Sequence, residues 1–301
     1  MSITRPRISV IIPCFNSQRF IGQSLQSVID QNYPNLEIIC VDDGSTDNTR
    51  KEITDHFPSV LYLYQNNKGP AAARNLGIGK STGHYVAFLD ADDVWLPEKL
   101  SLQMEYLRKN AGAKIVHTNI KIKIGTAIVD TIYPTQHQNG RIFEDLLLQK
   151  GSVVCSTLLL KKECFEKVGL FDEELITAED VHLYLRLAYY YDFHFLNSAL
   201  AIKNHHDENL TNLHNAHYGA GAILALEKIE RLFPEYSRAR SSIMRRALFL
   251  RARLRAKSFL QKGEYRNAIR FFMLAFQYEK TPKNLVSIMK DLAMVPFNSR
   301  R

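Results

Sequence analysis

Apolar and polar positions alternate in blocks through the first 110 residues. Ile8–Ile12 is a β-branched run that ends at Pro13, and Phe20, Ser24, Leu25, Val28 and Ile29 follow at helical spacing. Leu36–Val41 reads as a second buried strand, with a helix expected over Ser45–His56. Val60–Tyr64 reads as a third strand, and Pro70–Gly79 as a helix whose proline suits the first turn. Tyr85–Leu89 is the fourth strand and Pro97–Asn110 the next helix. Continuous apolar strands alternating with helices predict a parallel sheet covered on both faces, hence an α/β fold.

The pattern then changes. Ile120–Tyr133 suggests an irregular hairpin, Cys155–Leu160 a strand, Val181–Tyr190 a helix and Phe193–Ile202 a strand. From about Leu213 onward the periodicity is helical. Arg251–Gln277 reads as two helices joined at Gly263, and Ser258–Ile269 resembles a single helical-repeat hairpin turn, too little for an array.

The net charge of +8 is unevenly spread. Residues 228–301 carry 18 Lys and Arg against 5 Asp and Glu, which leaves the preceding part at −5. A basic tail beside a mildly acidic body predicts a surface for anionic partners such as lipid headgroups. No nucleic-acid motif is present. Arg245, Arg246, Arg251, Arg253, Arg255 and Lys257 would support peripheral membrane contact if gathered on one helix face; Arg246, Arg251 and Arg255 approach that spacing. Cys14, Cys40, Cys155 and Cys164 form no Cys-x-x-Cys pair and read as reduced packing residues. With no spanning apolar stretch and no signal-peptide core, a cytoplasmic location is expected, peripheral at the inner face of the plasma membrane if the tail binds lipid.

The densest chemistry lies at Asp90-Ala91-Asp92-Asp93, where a buried strand ends in three carboxylates. Burying such charge is costly unless a cation or donors meet it, and a divalent metal bound to a diphosphate answers that need. Three more clusters sit just past predicted strand ends or at a helix start: Pro13-Cys14-Phe15-Asn16, Val41-Asp42-Asp43-Gly44-Ser45-Thr46-Asp47, and Ala178-Glu179-Asp180. Open α/β sheets bind ligands at strand carboxyl ends.

In that order, Ser9–Asn16, Val41–Asp47, Gly69-Pro70-Ala71-Ala72-Ala73-Arg74-Asn75, Asp90–Asp93, and Gly169-Leu170-Phe171-Asp172-Glu173 followed by Glu179-Asp180 resemble the motifs of the inverting GT-A glycosyltransferases of family 2. The similarity covers about residues 7–212. It implies a GT-A fold over 1–212, with a nucleotide-binding half at 1–119 and an acceptor half at 120–212, and leaves 213–301 as a basic helical extension. It also implies transfer of a sugar from a nucleotide-diphospho-sugar, a UDP-sugar being expected, to a hydroxyl of a glycan or lipid-linked glycan, as in surface polysaccharide assembly.

By the same resemblance, Mn²⁺ or Mg²⁺ would be held by Asp92, with Asp93 a competing ligand and His206 approaching the metal or diphosphate. Asp90 would contact ribose or the metal shell. Asp43, with Asp42 nearby, would accept from the nucleobase, and Pro13 and Asn16 would shape its pocket. Arg74 would donate to the diphosphate or to base-side contacts. Asp180 would be the general base, with Glu179 orienting the acceptor or backbone. Each also has a plainer reading: strand termination for Pro13, a turn with Ser45 as helix cap for Asp43–Ser45, a surface ion pair for Arg74, favourable helix-start charge for Glu179-Asp180, and a surface loop for His205-His206. Trp95, directly after the carboxylates, would stack on a sugar face or, by the default reading, anchor the core. The rival functions are a non-catalytic nucleotide-sugar scaffold and a nucleotidyltransferase. The latter would need a glycine-rich basic phosphate loop that Pro13–Asn16 does not supply.

Overall fold

The computed structural model describes residues 5–131, 135–206, 209 and 215–293. Four parallel strands form the first half: β1 (Ile8–Cys14), β2 (Leu36–Asp42), β3 (Leu61–Tyr64) and β4 (Tyr85–Phe88), in spatial order β3-β2-β1-β4. The short β5 (Val94–Trp95), the hairpin β6 (Ile115–Ile124) and β7 (Ala127–Asp130), β8 (Leu159–Lys161) and β9 (Phe193–His205) extend the same sheet in the order β8-β6-β9-β5, with β7 beside β6. β8 runs antiparallel to both β4 and β6, whereas β6 and β9 are parallel.

Side-chain alternation divides the core between the two faces of the sheet. Val86 and Phe88 of β4 enter one cluster, and Ala87, with Leu89 just past the strand, enters the other. The second cluster takes Ile21, Leu25 and Val28 of α1 (Ile21–Ile29), Ile53 of α2 (Thr49–His56), and Leu100 and Leu107 of α4 (Lys99–Lys109). The first takes Ala71 and Ile78 of α3 (Pro70–Lys80), and side chains of α5 (Phe143–Leu147), α6 (Cys164–Val168) and α7 (Glu179–Tyr190).

The C-terminal helices α8 (Asn215–Leu232), α9 (Pro234–Ala239), α10 (Ser241–Gln261), α11 (Tyr265–Tyr278) and α12 (Pro282–Ala293) contribute Leu226, Ile229, Phe249 and Phe272 to that first cluster. At the junction the Phe233 ring stacks 3.8 Å from Tyr189, and the Tyr236 hydroxyl donates to Glu144 at 2.9 Å. The expected boundary at 212/213 lies outside the described residues.

Several expectations shift for identifiable reasons. The first strand continues through Pro13 to Cys14, beyond the last residue paired with β4, Ile11 opposite Phe88, where proline costs no bond on that side. α2 starts at Thr49 instead of Ser45, because Asp42 takes the Ser45 amide at 2.8 Å and Asp47 takes that of Thr49 at 2.9 Å. Cys155–Thr157 is a 3₁₀ turn, not strand; Ser156 spends its carbonyl on the Trp95 indole at 2.7 Å and its hydroxyl on Asp93. The hairpin begins earlier, at Ile115, and turns at Gly125 (φ 58°); residues 132–134 lie outside the described set. α10 and α11 do meet at Gly263, whose φ of 74° is the left-handed conformation that glycine takes without strain. All four cysteines are buried and free, with the Cys14 and Cys40 sulfurs 3.5 Å apart.

Candidate active site at the carboxyl ends of the strands

Asp42 and Asp43 sit where β2 ends, and both are buried. Asp42 accepts from the Ser45 amide and from the Tyr62 hydroxyl at 2.7 Å. Asp43 accepts from Gln65 Nε2 and the Lys68 amide on Oδ1, and from the Gly69 amide on Oδ2, at 2.7–2.8 Å. It therefore fastens the segment leading into α3. Asn16, in the left-handed region at φ 48°, donates its amide to the Ser45 hydroxyl at 2.9 Å and accepts from the Thr46 amide at 2.8 Å. Ser45 thus joins the two loops instead of capping α2. Pro13 is half-buried beneath them.

Arg74, buried on α3, is no surface ion pair. Its Nη1 donates to Glu179 Oε1 at 2.7 Å and its Nη2 to Asp90 Oδ1 at 2.8 Å, while its guanidinium lies 5.3 Å from the Phe171 ring centre. One side chain so ties the end of β4 to the start of α7. Ala178 enters α7 in the left-handed conformation (φ 64°), a strained backbone for a side-chain-bearing residue, and aims Glu179 and Asp180 inward. Burial, with repulsion from Asp180, pushes Glu179 up to about 7 against the pull of Arg74. Burial also raises Asp180, opposed chiefly by Arg74.

The two neighbouring aspartates after β4 point different ways. Asp93 is fully buried, accepting from the Ser156 hydroxyl on Oδ2 and from the Asn204 amide at 3.2 Å on Oδ1. Asp92 is partly exposed; its Oδ2 accepts from His206 Nε2 at 3.1 Å and Asn209 Nδ2 at 2.8 Å, and its carbonyl accepts from Asn204 Nδ2. The His206 ring stacks 4.4 Å from Phe20. His205 is exposed and Trp95 is a core anchor, with Lys99 Nζ 4.0 Å above its ring. Asp207 and Glu208 lie outside the described residues.

Lys203 of β9 is the group that sequence reasoning misses. Burial would depress its pKa, yet Asp90, Asp93, Asp180 and Asp92 together raise it. Carboxylates 90 residues apart therefore share one field. The only signal in the sequence is a lysine two places before the histidine pair, and its meaning depends on a β6–β9 register with two shifts.

The donor set fits a hard divalent cation. Burial and the Asp90 charge push Asp92 upward, so a cation would relieve it, and oxygen ligands suit Mg²⁺ or Mn²⁺. Among the described residues no three His, Cys, Asp or Glu side chains form a cage. Such sites usually complete the coordination with substrate phosphates.

Most of the basic run of α10 is paired or buried, and Arg245 is exposed. Arg246 pairs with Glu279 at 2.9 Å, Arg253 and Lys257 pair with Asp291 at 2.6 and 3.0 Å, and Arg251 and Arg255 are buried. Arg246, Arg251 and Arg255, whose spacing approached a single face, therefore do not form one exposed basic face. Among the described residues no helix is long and apolar enough to cross a membrane.

The mixed sheet with helices on both faces is of the GT-A type. Residues 9–168 match the profile of glycosyl transferase family 2, and the chain belongs to that family. It is 31% identical over 182 residues to the UDP-Glc:alpha-D-GlcNAc-diphosphoundecaprenol beta-1,3-glucosyltransferase WfgD of Escherichia coli, covering 60% of this chain and 69% of that one. It is 32% identical over 193 residues to the putative teichuronic acid biosynthesis glycosyltransferase TuaG of Bacillus subtilis, covering 62% and 74%. Some relatives are much longer: the match spans only 30% of an uncharacterized glycosyltransferase from Rickettsia felis, at 31% identity and 60% of this chain. Among solved structures, S. aureus TarS 1–349 in complex with UDP-GlcNAc superposes with a TM-score of 0.64 at 18% identity, covering 95% of this chain and 88% of that one, which shows likeness of fold.

Proposed function

We propose that this chain is an inverting, metal-dependent glycosyltransferase that moves a sugar from a UDP-sugar to a hydroxyl of a glycan or lipid-linked glycan in surface polysaccharide assembly. The observation that carries the reading is Arg74, which ties Asp90 on the donor side to Glu179 beside the proposed base. The E. coli and Bacillus relatives, named for transfer from UDP-Glc and for teichuronic acid synthesis, support the donor class and the setting. Four buried cysteines outside any Cys-x-x-Cys pattern suit a reducing cytoplasm, where we place the protein.

Asp42, Asp43, Pro13 and Asn16 frame the nucleotide pocket. Asp43 does so chiefly by holding the 65–69 segment, with one lone pair of Oδ2 left for a base N–H. Asp92, with His206 beside it, would hold Mn²⁺ or Mg²⁺; Asp93 is committed to Ser156 and Asn204. When bound, that ion supplies positive charge against the diphosphate as it departs. Lys203 adds a fixed cation to the same field. Asp180 takes the proton from the acceptor hydroxyl as its oxygen bonds to the anomeric carbon and the bond to the UDP oxygen breaks, so one in-line displacement inverts the centre. Glu179, held by Arg74, fixes the turn that presents Asp180.

The test is UDP release from UDP-sugars with and without Mn²⁺. Asp180→Asn is expected to lower turnover by about 10³-fold or more while leaving UDP affinity within about twofold. Wild-type turnover in that variant removes Asp180 from the role, and donor binding without turnover across a broad acceptor panel would make the protein a scaffold.

A further inference from the structure

A surface helix ordinarily turns its apolar stripe to the core and its polar side to water. α12 does the reverse. Its buried positions are Asn284, Ile288 and Asp291, two of them polar. Asn284 accepts from Arg246 at 3.1 Å and donates to the Glu279 carbonyl at 3.1 Å. Asp291 accepts from Arg253 and Lys257 of α10 at 2.6 and 3.0 Å. The opposite side carries Leu285, Val286, Met289 and Leu292, exposed at 46%, 52%, 61% and 36%. Leu285, Met289 and Leu292 follow the i, i+4, i+7 spacing of one helix face, with Val286 beside them. The helix is docked on the body chiefly through polar groups, and its apolar face is left outward.

The free charge on these helices has one sign. Residues 265–293 hold five cations, Arg266, Arg270, Lys280, Lys283 and Lys290, all exposed. Among the described residues none of the five pairs with an acid. The two acids of the segment turn inward instead, Glu279 to Arg246 and Asp291 to Arg253 and Lys257. Lys283 and Lys290, seven residues apart, share one flank of the apolar stripe. α11 combines the same residue types: Tyr265, Ile269 and Met273 are exposed at four-residue spacing, with Arg266 and Arg270 next to them in the chain.

An apolar stripe edged by unanswered cations fits the boundary of an anionic bilayer, which takes apolar side chains to a depth of about 5–10 Å and meets lysines with its headgroups. A second copy of the chain fits less well. Its α11 and α12 would bring the same cations, and a 12-residue helix, about 18 Å long, offers only a fraction of the roughly 800 Å² that each partner buries in a stable interface. We propose that α12 is an interfacial membrane helix. Leu285, Val286, Met289 and Leu292 enter the headgroup–acyl boundary, and Lys283 and Lys290 contact anionic lipid. The lipid-facing surface is thus α12 and not the cations of α10. No residue of the strand-end site takes part, so lipid binding and sugar transfer are tested separately.

Co-sedimentation of the full chain with vesicles is the test. Vesicles of phosphatidylcholine with about one third phosphatidylglycerol should bind it about tenfold or more tightly than phosphatidylcholine alone, and the difference should shrink as salt rises. Lys283→Gln combined with Lys290→Gln should weaken binding to the anionic vesicles about tenfold and reduce its salt dependence. Val286→Ser combined with Met289→Ser should weaken it by a similar factor, about tenfold, at low and high salt alike. All four positions are exposed, so the thermal midpoint of either variant should stay within about 2 °C of the wild type. Absence of binding to anionic vesicles overturns the proposal. So does equal affinity for neutral vesicles, or anionic binding that both double variants leave unchanged. Sedimentation velocity without lipid examines the other occupant: a wild-type dimer that Val286→Ser with Met289→Ser dissolves would assign the face to a second copy and overturn the lipid assignment.

Discussion

Asp92 and Asp93 are chemically identical neighbours whose roles are separated by one turn of backbone. The Asp93 amide donates to the Asp90 carbonyl at 3.0 Å, and that tight turn sends the Asp93 side chain in under Ser156 while Asp92 stays at the rim. Asp93→Ala would strand the Asn204 amide and the Ser156 hydroxyl, so its stability to urea should fall by about 1–3 kcal/mol. Asp92→Ala should cost less than half of that, yet remove the gain in UDP-sugar affinity that Mn²⁺ brings, as read by calorimetry. Unchanged metal dependence would hand the ligand role to another group. Glu179 gives a second residue-scale prediction. Its folded pKa of about 7 stands above the ordinary carboxylate value, so the folded state binds the extra proton between pH 4.5 and 7. Its contribution to stability is thus fully present below pH 4.5 and is lost as pH rises to about 7. In Glu179→Gln that downward slope should vanish from the thermal midpoint measured against pH. The residue types of this site were legible in the chain, because carboxylates at strand ends have few plain explanations. Which carboxylate faces the cleft was not, since side-chain direction is decided by a turn whose donors come from 60 to 110 residues away.

At the scale of elements, α3, α7 and α8 set the site. α3 brings Arg74 to both halves, and α7 starts from the strained Ala178. α8 presses on the loop just before that start at Gly221, where an added methyl would overlap the Thr177 carbonyl oxygen. Glycine at this helical position permits the close approach of the extension to the segment that carries the proposed base. Gly221→Ala should therefore destabilise the fold by about 1–3 kcal/mol. It should also lower kcat in the UDP-release assay while leaving UDP affinity unchanged, because the displaced loop holds Glu179 and Asp180 but no nucleotide contact. A stability loss with kcat untouched would show that α8 supports the fold without positioning the base. The four βα units were readable because each strand is a continuous apolar run and each helix has its own periodicity. β5, two residues long, has no such run, and the 3₁₀ turn at Cys155–Thr157 looks like a strand because its residues are apolar or small. Distant partners hold that turn: Trp95 and Asp93 on Ser156, and Gln103 Nε2 on the Thr157 carbonyl at 2.8 Å.

For the whole molecule, the question is whether the helical extension is an appendage or part of the transferase body. We propose that the resemblance boundary near 212 is not a folding boundary. Leu226 and Ile229 of α8, Phe249 of α10 and Phe272 of α11 are buried in the same cluster as Phe88 of β4 and Leu183 of α7. Removing α8–α12 would uncover the outer faces of α5 and α7, including Phe143 and Leu187 and the Tyr189 ring that now stacks on Phe233. Each large apolar side chain so exposed forfeits roughly 1.5–3 kcal/mol, and a handful equals the whole stability of an ordinary domain. A chain ending at residue 212 should accordingly be recovered as aggregate, or as a species with no cooperative thermal transition and strong binding of a hydrophobic dye. A soluble, cooperatively melting fragment that still binds UDP would show instead that the first 212 residues form their own body. That outcome would make α8–α12 a separate unit, whereas cooperative loss would mean that one core holds the strand-end carboxylates, α7 and the C-terminal helices in register.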